Sequence, residues 1–461
     1  MELQIPVTLQ FLFLPKRIKV LYGGRGGYKS VSVAKTLLFI AQREKKKILA
    51  AREFMNSIED SVHSVFKEEI ENLNMSSHYR VTDHQITGHN GTQVRYIGLA
   101  RNLPSLKSRQ GVDILWMEEA ETVTQRSLDT VIPTIRREGS EIWITFNPDD
   151  EFGAIFCAYV KPHLDTIRSQ GFYEDENLYV VKTSLDENPF ATEKMLEESR
   201  VMKKDNLKKW LHIYGGEVFS DYRDSIIQPE WVEASINAHK KLGFPAEGMK
   251  VLAFDPADTG DAKAVLLRHG VVITQGFQWT YDELPEAIDI AFDRAYEWRA
   301  EQLIYDATGI GRGIKVGLKK RIEGKSIEVI GFEGAASVDL PEDIYADHKS
   351  NKDTFRNRRA QRYWNLRDRF EATFNAIEKG LYTDPDKLIS ISSEVEDLDV
   401  LKSELVKIQR KIGSSYIQIK SKEDMKKEGI KSPNMADTLM MLWDNKPPQT
   451  VMPTLNFTSE F

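Results

Sequence analysis

The sequence predicts an α/β protein with two successive domains, each built on a helix-covered sheet. Two observations lead to this prediction. In the first ~150 residues, short apolar strands alternate with helical segments, which is typical of a mostly parallel sheet. After about residue 220 a second series begins, with a strand, a hairpin, a helix and a further strand. The length of 461 residues suits two large domains or three smaller ones.

The composition excludes several classes of protein. Apolar residues make up 41% and charged residues 29%, which is typical of a globular chain rather than a disordered one. The 63 basic and 70 acidic residues give a net charge of −7, so no global basic excess indicates a nucleic-acid ligand. The single cysteine, Cys157, excludes an internal disulfide framework, and we expect a reducing, intracellular setting without membrane insertion.

The order of elements predicts the domain boundaries. Charge-rich helical sequence from about Asn188 to Trp210 separates the first series of strands from the second, and Gly215 and Gly216 begin a polar connector. We expect a core domain with a parallel sheet at 1–185, a small helical lid at 186–218, a second domain at 219–445 and a flexible tail at 446–461. The predicted strands of the first domain are Arg17–Tyr22, Lys47–Ala51, Gln93–Leu99, Val112–Met117 and Glu141–Phe146.

A glycine-rich segment between the first strand and the first helix predicts a phosphate-binding loop. Residues 23–30 read GGRGGYKS. Glycines let backbone N–H groups surround phosphate oxygens, a lysine reaches the β and γ phosphates, and a hydroxyl holds Mg²⁺. Tyr28 stands where the pattern G-x-x-x-x-G-K-[ST] has its second glycine, so a turn that binds no nucleotide is the alternative. The candidate binding residues are Gly24, Arg25, Gly26, Gly27, Lys29 and Ser30.

Two further strands of this domain end in polar residues. The strand in DILWMEEAE ends at Glu118 and Glu119, where the first carboxylate can hold Mg²⁺ and the second can orient an attacking water. A solvated acidic strand end is the alternative. Asn147 follows the strand that ends in TFNP and is positioned to sense a γ-phosphate, although Asn-Pro is also an ordinary turn.

Phosphoryl transfer also requires a positive charge near the γ-phosphate, supplied by the same chain or by a neighbouring subunit. Arg109 is the candidate, because it precedes the acidic strand end by ten residues. Arg101, Arg136, Arg137 and Arg25 are the alternatives.

Three aspartates of the second domain form another candidate site. Asp255 ends the first strand and Asp306 ends the strand after the first helix, and in a ribonuclease-H-like sheet these two strands are adjacent and parallel. Asp437 lies on the last predicted helix, which can pack across the same edge. Three carboxylates are suited to Mg²⁺ or Mn²⁺ and to phosphodiester hydrolysis by two metal ions. Turn-forming and surface aspartates are the alternative, and Asp258 and Asp261 are possible substitutes.

A local basic segment adds a hypothesis about nucleic acid. Eight basic and two acidic residues lie between Lys349 and Arg369, with aromatic residues among them. Such a stripe can follow a phosphate backbone, and a solvated helix face with core aromatics is the alternative.

The combined motifs resemble the large terminase subunit of tailed double-stranded-DNA bacteriophages. The resemblance rests on GGRGGYKS, ILWMEEA, TFNP, AFDPADTG, IYDATG and NMADTL in this order. It implies a P-loop ATPase followed by a ribonuclease-H-like nuclease. The implied activity is ATP-driven translocation of viral DNA into a procapsid through the portal, with cutting of the DNA concatemer. The implied partners are double-stranded DNA, the portal protein, the small terminase subunit and further copies of the chain in a ring, in the host cytoplasm.

The resemblance also implies residue roles. Lys29 and Ser30 match the Walker A positions, Glu118 the Walker B acid and Glu119 the catalytic glutamate, while Asn147 falls in the coupling motif. Asp255, Asp306 and Asp437 match the nuclease acids, and Arg109 resembles the arginine that acts in trans. The implied cofactors are ATP and Mg²⁺, with Mn²⁺ as an alternative for the nuclease. An ATP-dependent helicase-nuclease of DNA repair and a non-enzymatic adaptor with degenerate sites are the alternatives.

Overall fold

The computed structural model describes residues 3–53, 58–100, 111–149, 151–218, 225–257, 262–280, 283–308, 314–322, 324–346, 348–427 and 430–444. The chain divides into two compact units. The first contains Met1–Asp224 and Asp397–Ser403, and the second contains Ser225–Glu396 and Glu404–Phe461. The expected tail at 446–461 lies outside the described residues.

The first unit is built on a nine-stranded sheet. Its strands are β1 (Ile18–Gly23), β2 (Lys47–Arg52), β3 (Tyr79–Thr82), β4 (Gln85–Gly88), β5 (Gln93–Gly98), β6 (Ile114–Glu118), β7 (Glu141–Phe146), β8 (Phe172–Glu174) and β9 (Leu178–Thr183). They lie in the order β3-β4-β5-β2-β6-β7-β1-β9-β8. The six strands from β5 to β9 in that order are parallel, and β3, β4 and β8 pair antiparallel at the two edges. The predicted parallel α/β sheet is confirmed.

Burial on both faces explains why these strands are nearly continuous apolar runs in the sequence. Val20 and Tyr22 of β1 belong to the core on one face of the sheet, whereas Leu21 between them belongs to the core on the other face. Parallel strands covered by helices on both sides lose the polar–apolar alternation of exposed strands. The periodicity of the sequence therefore indicates a strand but does not indicate which face is covered by which helix.

The helices of the first unit cover this sheet and extend into the expected lid. They are α1 (Lys29–Arg43), α2 (Ile58–Asn72), α3 (Gln125–Thr134), α4 (Leu164–Gln170), α5 (Glu193–Asp205) and α6 (Leu207–Ile213). In the lid, the side chains of Thr192 and Asn206 accept hydrogen bonds from the backbone of the first turns of α5 and α6. Such capping bonds begin a helix at a defined residue.

The second unit contains a six-stranded sheet. Its strands are β10 (Lys250–Asp255), β11 (Lys263–His269), β12 (Val272–Trp279), β13 (Gln302–Asp306), β14 (Glu328–Phe332) and β17 (Ser390–Ile391), while β15 (Ile344–Ala346) and β16 (Lys349–Ser350) form a separate ribbon. The order is β14-β13-β10-β11-β12-β17. β11 is antiparallel to both of its neighbours, and β13 is parallel to β10 and β14. The predicted hairpin and the ribonuclease-H-like fold are confirmed.

The helices of the second unit pack against this sheet and against one another. They are α7 (Pro229–Ser235), α8 (Ala238–Leu242), α9 (Leu284–Glu297), α10 (Ile314–Ile322), α11 (Asn351–Thr354), α12 (Arg358–Lys379), α14 (Lys422–Lys427) and α15 (Asn434–Met441), and α13 (Leu398–Val406) is shared between the two units. The apolar stripe of α9, with Ala287, Ala291 and Ala295 fully buried, packs on the sheet. Among the described residues, no helix has the length and apolar character needed to cross a bilayer.

Two glycines with similar backbone angles test the close packing around the loop after β1. Gly216 has φ +67°, and a Cβ on it would lie 2.4 Å from Gly23 Cα, whereas Gly139 has φ +70° and open space around it. We expect Gly139→Ala to cost about 1 kcal/mol, since only the left-handed backbone is strained. We expect Gly216→Ala to cost about 3 kcal/mol or more, because a backbone clash is added. Thermal unfolding of both variants measures the difference, and equal losses would contradict the clash.

Candidate phosphate-binding site and candidate metal centre

The order of strands gathers the candidate residues of the first unit at one edge of the sheet. β2, β6, β7 and β1 are neighbours and run in the same direction, so the segments that follow them meet at the carboxyl edge. Glu118 ends β6, Asn147 follows β7, and the glycine-rich loop follows β1. The structure therefore brings together the three segments that the sequence singled out.

Lys29 links the loop to the end of β7. Its ammonium donates hydrogen bonds to the carbonyl oxygens of Gly23 (3.0 Å) and Gly24 (2.8 Å) and to Oδ1 of Asn147 (2.8 Å). Burial lowers the pKa of Lys29 to about 8, although the carboxylates of Glu121 and Glu118 oppose this shift. A buried ammonium of this kind is stabilised in its charged form by an anion close to it.

The glycines of the loop are required by close contacts. A Cβ on Gly24 would lie 2.1 Å from the carbonyl oxygen of Tyr214, and one on Gly27 would lie 2.7 Å from Oγ1 of Thr183. Gly26 has φ +77°. Tyr28 has φ +57°, in the left-handed region that favours glycine. The left-handed backbone at position 28 therefore explains why the sequence pattern expects glycine there.

An acidic group faces the hydroxyl that follows the loop lysine. Oγ of Ser30 donates to Oε1 of Glu118 at 3.0 Å. Glu118 is buried, and burial raises the pKa of its carboxyl group, whereas the charge of Arg52 lowers it. A hydroxyl and a carboxylate in contact form a pair of oxygen ligands that suits Mg²⁺. Glu119, with φ +50°, turns away from the strand and has a half-exposed side chain.

Arg52 is a residue of this site that the sequence reasoning missed. It ends β2, its side chain is 5% exposed, and its guanidinium pairs with the carboxylates of both Glu118 and Glu119, the latter at 2.8 Å. In the sequence Arg52 lies far from the acidic strand and has no motif around it. Only the adjacency of β2 and β6 in the sheet identifies it.

A cavity of about 400 Å³ lies over the loop. It is lined by the loop residues Arg25, Tyr28 and Lys29 and by Glu118, Glu119 and Asn147, among others. This volume is within the range of pockets that bind small molecules and cofactors. The basic loop and the acidic strand end therefore face a common space large enough for a ligand.

The structure separates the candidate arginines. Arg109 and Arg101 lie outside the described residues. Arg137 pairs with Asp113, which precedes β6 and so lies roughly 16 Å from Glu118 at ~3.3 Å per strand residue. Arg136 is its neighbour. The prediction that Arg136 or Arg137 reaches the γ-phosphate of the same chain was therefore wrong. Both lie near the amino ends of the parallel strands, whereas the glycine-rich loop lies at their carboxyl ends.

The three aspartates of the second unit come together around two adjacent strands. Asp255 and Asp306 end β10 and β13, which are parallel with Phe254 opposite Tyr305. α15, which carries Asp437, packs against β10 and β11. The pKa of Asp255 is raised to about 6, mainly by burial; the negative charges of Asp437 and Asp306 contribute to this shift, and the charge of Lys422 opposes it. Oδ1 of Asp306 accepts hydrogen bonds from the backbone (2.9 Å) and the hydroxyl of Thr308.

Basic side chains that the sequence reasoning missed surround Asp437. Nζ of Lys422 lies 3.1 Å from Asp437 and 3.6 Å from Asp255. The hydroxyl of Tyr363 donates to Asp437 at 2.6 Å, and the guanidinium of Arg359 binds it at 3.1 Å. Although burial favours the protonated acid, Arg359 and Lys422 lower the pKa of Asp437 to about 2. Asp437 is therefore a fixed carboxylate.

Asp255 and Asp437 supply carboxylate oxygens of the kind that bind a divalent cation, although the described side chains do not form a complete set of metal ligands. Oδ2 of Asp255 is buried and has no hydrogen-bond partner among the described residues. The ammonium of Lys422 lies between two of the carboxylates, which marks this point as favourable for positive charge. No group of three or more His, Cys, Asp or Glu side chains within the described ranges is arranged to hold a metal ion. Asp258 and Asp261, the possible substitutes, lie outside those ranges.

Part of the basic stripe between Lys349 and Arg369 is neutralised by ion pairs within the second unit, while its contact with nucleic acid stays a prediction. Arg358 and Arg362 of α12 both pair with Asp339 and with Asp444, whose side chain is fully buried. The aromatic residues Phe355, Tyr363 and Phe370 belong to the core. The local count of charges was misleading because the acidic partners come from other parts of the unit.

The two sites define the class of protein. A glycine-rich loop on a parallel sheet, facing an acidic strand end, is a P-loop nucleotide-binding arrangement. Three aspartates at the edge of a ribonuclease-H-like sheet form a candidate metal-dependent phosphodiesterase centre.

Comparisons with known proteins agree with this class. A family model described as phage terminase large subunit matches residues 15–217. The PBSX phage terminase large subunit of Bacillus subtilis (strain 168) is 26% identical over 200 residues, which are 41% of this chain and 45% of that protein. The large terminase subunit of Bacillus phage SPP1 is 26% identical over 210 residues, which are 43% of this chain and 48% of that protein.

Solved structures of a nuclease domain match about half of the chain. The nuclease domain of the large terminase subunit of bacterial virus Sf6 is 38% identical, with coverage of 48% of this chain and 99% of that domain and a TM-score of 0.47. A mutant of the same domain, solved with manganese, is 36% identical, with coverage of 48% and 100% and a TM-score of 0.46.

The chain belongs to the family of phage terminase large subunits. The amino-acid identity of 38% to the Sf6 domain, which the chain covers almost completely, supports this assignment, as does the family-model match to 15–217. The matched segment spans about half the length of the two curated relatives. Family membership does not favour the alternative of a helicase-nuclease.

The buried pairing of Arg52 predicts a large effect on stability. We expect Arg52→Gln to lower the free energy of unfolding of the first unit by about 3–5 kcal/mol, because Glu118 remains as a buried, uncompensated acid. Arg137→Gln is the matched control, since the Arg137 side chain is 55% exposed and its pair contributes at most about 1 kcal/mol. Chemical denaturation measures both.

A second variant separates charge from packing. Arg52→Gln combined with Glu118→Gln removes the orphaned acid, so we expect it to recover much of the lost stability. If the double variant is as unstable as Arg52→Gln alone, the loss arises from packing and the electrostatic explanation is wrong.

Proposed function

We propose that this chain is the motor and nuclease subunit of a viral DNA-packaging machine. ATP hydrolysis in the first unit would drive double-stranded DNA into the procapsid, and the second unit would cut the DNA concatemer. The observation that carries the proposal is that two chemically different phosphate-directed sites lie in two separate compact units of one chain. In this proposal residues 1–185 form the ATPase core, 186–218 its lid and 219–445 the nuclease.

In the ATPase, the backbone of the loop and the ammonium of Lys29 bind the β and γ phosphates. Ser30 and Glu118, which are already in contact, hold Mg²⁺, which neutralises phosphate charge when bound. Asn147 exchanges its contact with Lys29 for one with the γ-phosphate. Glu119 orients the attacking water once it is released from Arg52. Arg25 lies in the loop itself, and Arg109 of a neighbouring copy supplies further positive charge.

In the nuclease, Asp255, Asp306 and Asp437 would hold a divalent cation, either Mg²⁺ or Mn²⁺, which would supply activation of water and stabilisation of the charge of the phosphodiester. The related Sf6 domain solved with manganese supports this assignment. Arg359 and Tyr363 keep Asp437 ionised and oriented. The charge of Lys422 must leave the two carboxylates before a cation binds them.

The proposed partners follow from family membership. They are double-stranded DNA, the portal protein of the procapsid, the small terminase subunit and further copies of this chain in a ring on the portal. The work would take place in the cytoplasm of the host cell. An arginine that acts in trans requires a neighbouring copy of the chain, which agrees with a ring.

Separate variants test the two activities. We expect Lys29→Ala and Glu119→Gln to reduce ATP turnover by at least about a hundredfold, because phosphate binding or water activation is lost. Metal-dependent cutting of plasmid DNA should remain. Asp255→Asn should abolish cutting and leave ATP turnover intact. A colorimetric phosphate assay and a gel cleavage assay on the full chain measure the two activities.

The controls for this experiment change an exposed residue of the same type in the same unit. Lys45→Ala and Asp293→Asn should affect neither activity, since both side chains are exposed. If Lys29→Ala and Asp255→Asn each removed both activities while the fold was retained, the assignment of separate sites would be refuted.

Lys422 provides a prediction for metal affinity. A divalent cation near Asp255 and Asp437 is repelled by the ammonium that now lies between them, so we expect Lys422→Ala to bind Mn²⁺ at least about tenfold more tightly. Lys426→Ala, on the same helix and exposed, should leave the affinity unchanged. Calorimetric titration of the full chain with Mn²⁺ measures this, and a weaker affinity in Lys422→Ala would contradict the role of the ammonium.

A further inference from the structure

We propose that Tyr28 and Phe190 form a base shelf on which the nucleotide base stacks, and that the site recognises the base by its aromatic face rather than by its hydrogen-bonding edge. This inference rests on the proposed ATPase function of the same cavity and concerns the part of the nucleotide that the loop does not bind. No sequence motif assigns a residue to the base.

The base shelf consists of one residue of the phosphate-binding loop, Tyr28, and one residue of the expected lid, Phe190. The ring of Tyr28 packs on that of Phe190 with 4.8 Å between centroids and 30° between planes. Both residues line the cavity that also contains Lys29 and Glu118, and Phe190 is 37% exposed. Because Tyr28 directly precedes the loop lysine, a base on this shelf would lie at the side of the bound phosphates. An exposed aromatic face next to a phosphate site is suited to a ligand with an aromatic group.

Contacts from α1 hold the base shelf in place. Nζ of Lys35, two turns after Tyr28, donates to the Tyr28 hydroxyl at 2.9 Å and lies 5.2 Å and 5.6 Å from the two ring centroids. Glu69 lies 3.6 Å from the same ammonium. The left-handed backbone conformation of Tyr28 costs energy that glycine would avoid. The contacts of its side chain therefore hold the ring on a strained backbone. A rigid ring loses little freedom when a base stacks on it.

The polar side chains on either side of Phe190 are already engaged. Nδ2 of Asn188 donates to the carbonyl oxygen of Gly26 at 2.7 Å, and its Oδ1 accepts from the backbone of Phe190 at 2.9 Å. Oγ1 of Thr192 accepts from the backbone of Met195 as the cap of α5. These groups hold the segment that carries Phe190 rather than pointing to a base edge. Stacking tolerates every base, so we infer weak discrimination between ATP and GTP.

The test compares nucleotides with a ligand that has no base. The full chain is titrated calorimetrically, with Mg²⁺, against nonhydrolysable analogues of ATP and GTP and against inorganic tripolyphosphate. For Phe190→Ala we expect both nucleotide analogues to bind about tenfold more weakly, because base–aromatic stacking is lost. Tripolyphosphate should bind as it does to the unchanged chain, and the unchanged chain should bind the two analogues within about tenfold of each other.

A second variant guards against a change in folding. Phe190→Leu keeps an apolar contact with Tyr28 but has no aromatic face, so we expect the same selective loss with an unaltered melting temperature. The inference is overturned if neither variant weakens nucleotide binding, or if tripolyphosphate is weakened equally, which would mean that Phe190 only supports the loop. Strong preference of the unchanged chain for one base also overturns it. If the unchanged chain binds neither nucleotide analogue and does not bind tripolyphosphate, the proposed ATPase function is refuted instead.

Discussion

Both candidate sites depend on the need to neutralise charges that are removed from water. A buried carboxylate or ammonium without a partner is costly, so at both sites the fold supplies an opposite charge beside the acids. In the first unit the guanidinium of Arg52 lies between Glu118 and Glu119. In the second unit the ammonium of Lys422 lies between Asp255 and Asp437. Each site thus contains a cation of its own at the position where its ligands are acidic.

The sequence predicts the parts of each site that lie at the ends of parallel strands. Lys29, Glu118 and Asn147 were identified because each follows or ends an apolar strand, and parallel strands place such ends at the same edge of the sheet whatever their order. Arg52 and Lys422 were missed for the opposite reason. Their roles depend on which strand is the neighbour of which, and on where a short helix packs, and local sequence contains neither fact. The count of charges in the basic stripe overstated its uncompensated charge, because it does not include the partners that Arg358 and Arg362 find in Asp339 and Asp444.

Two properties of Tyr28 bear on its departure from the loop pattern: its backbone conformation and the contacts of its side chain. The backbone at this position is left-handed, which explains why the pattern has glycine there. The side chain, in turn, packs on Phe190 and binds Lys35. The sequence pattern reflects only the backbone conformation, because it asks whether position 28 is the glycine that this conformation favours. The contacts of the ring become visible only when the lid segment around Phe190 is placed beside the loop.

The internal cations set a limit on how tightly each site binds its ligand. A metal ion or a phosphate must first exchange with contacts that the chain already makes, such as that of Lys29 with Asn147 or that of Lys422 with Asp437. The energy of those contacts is subtracted from the energy of binding, so affinity is lower than for a site with unpaired charges. In a proposed motor that binds and releases nucleotide repeatedly, this exchange favours turnover, since the chain regains its own contacts when the product leaves. The same pairing keeps the nuclease acids neutralised when no cation is bound.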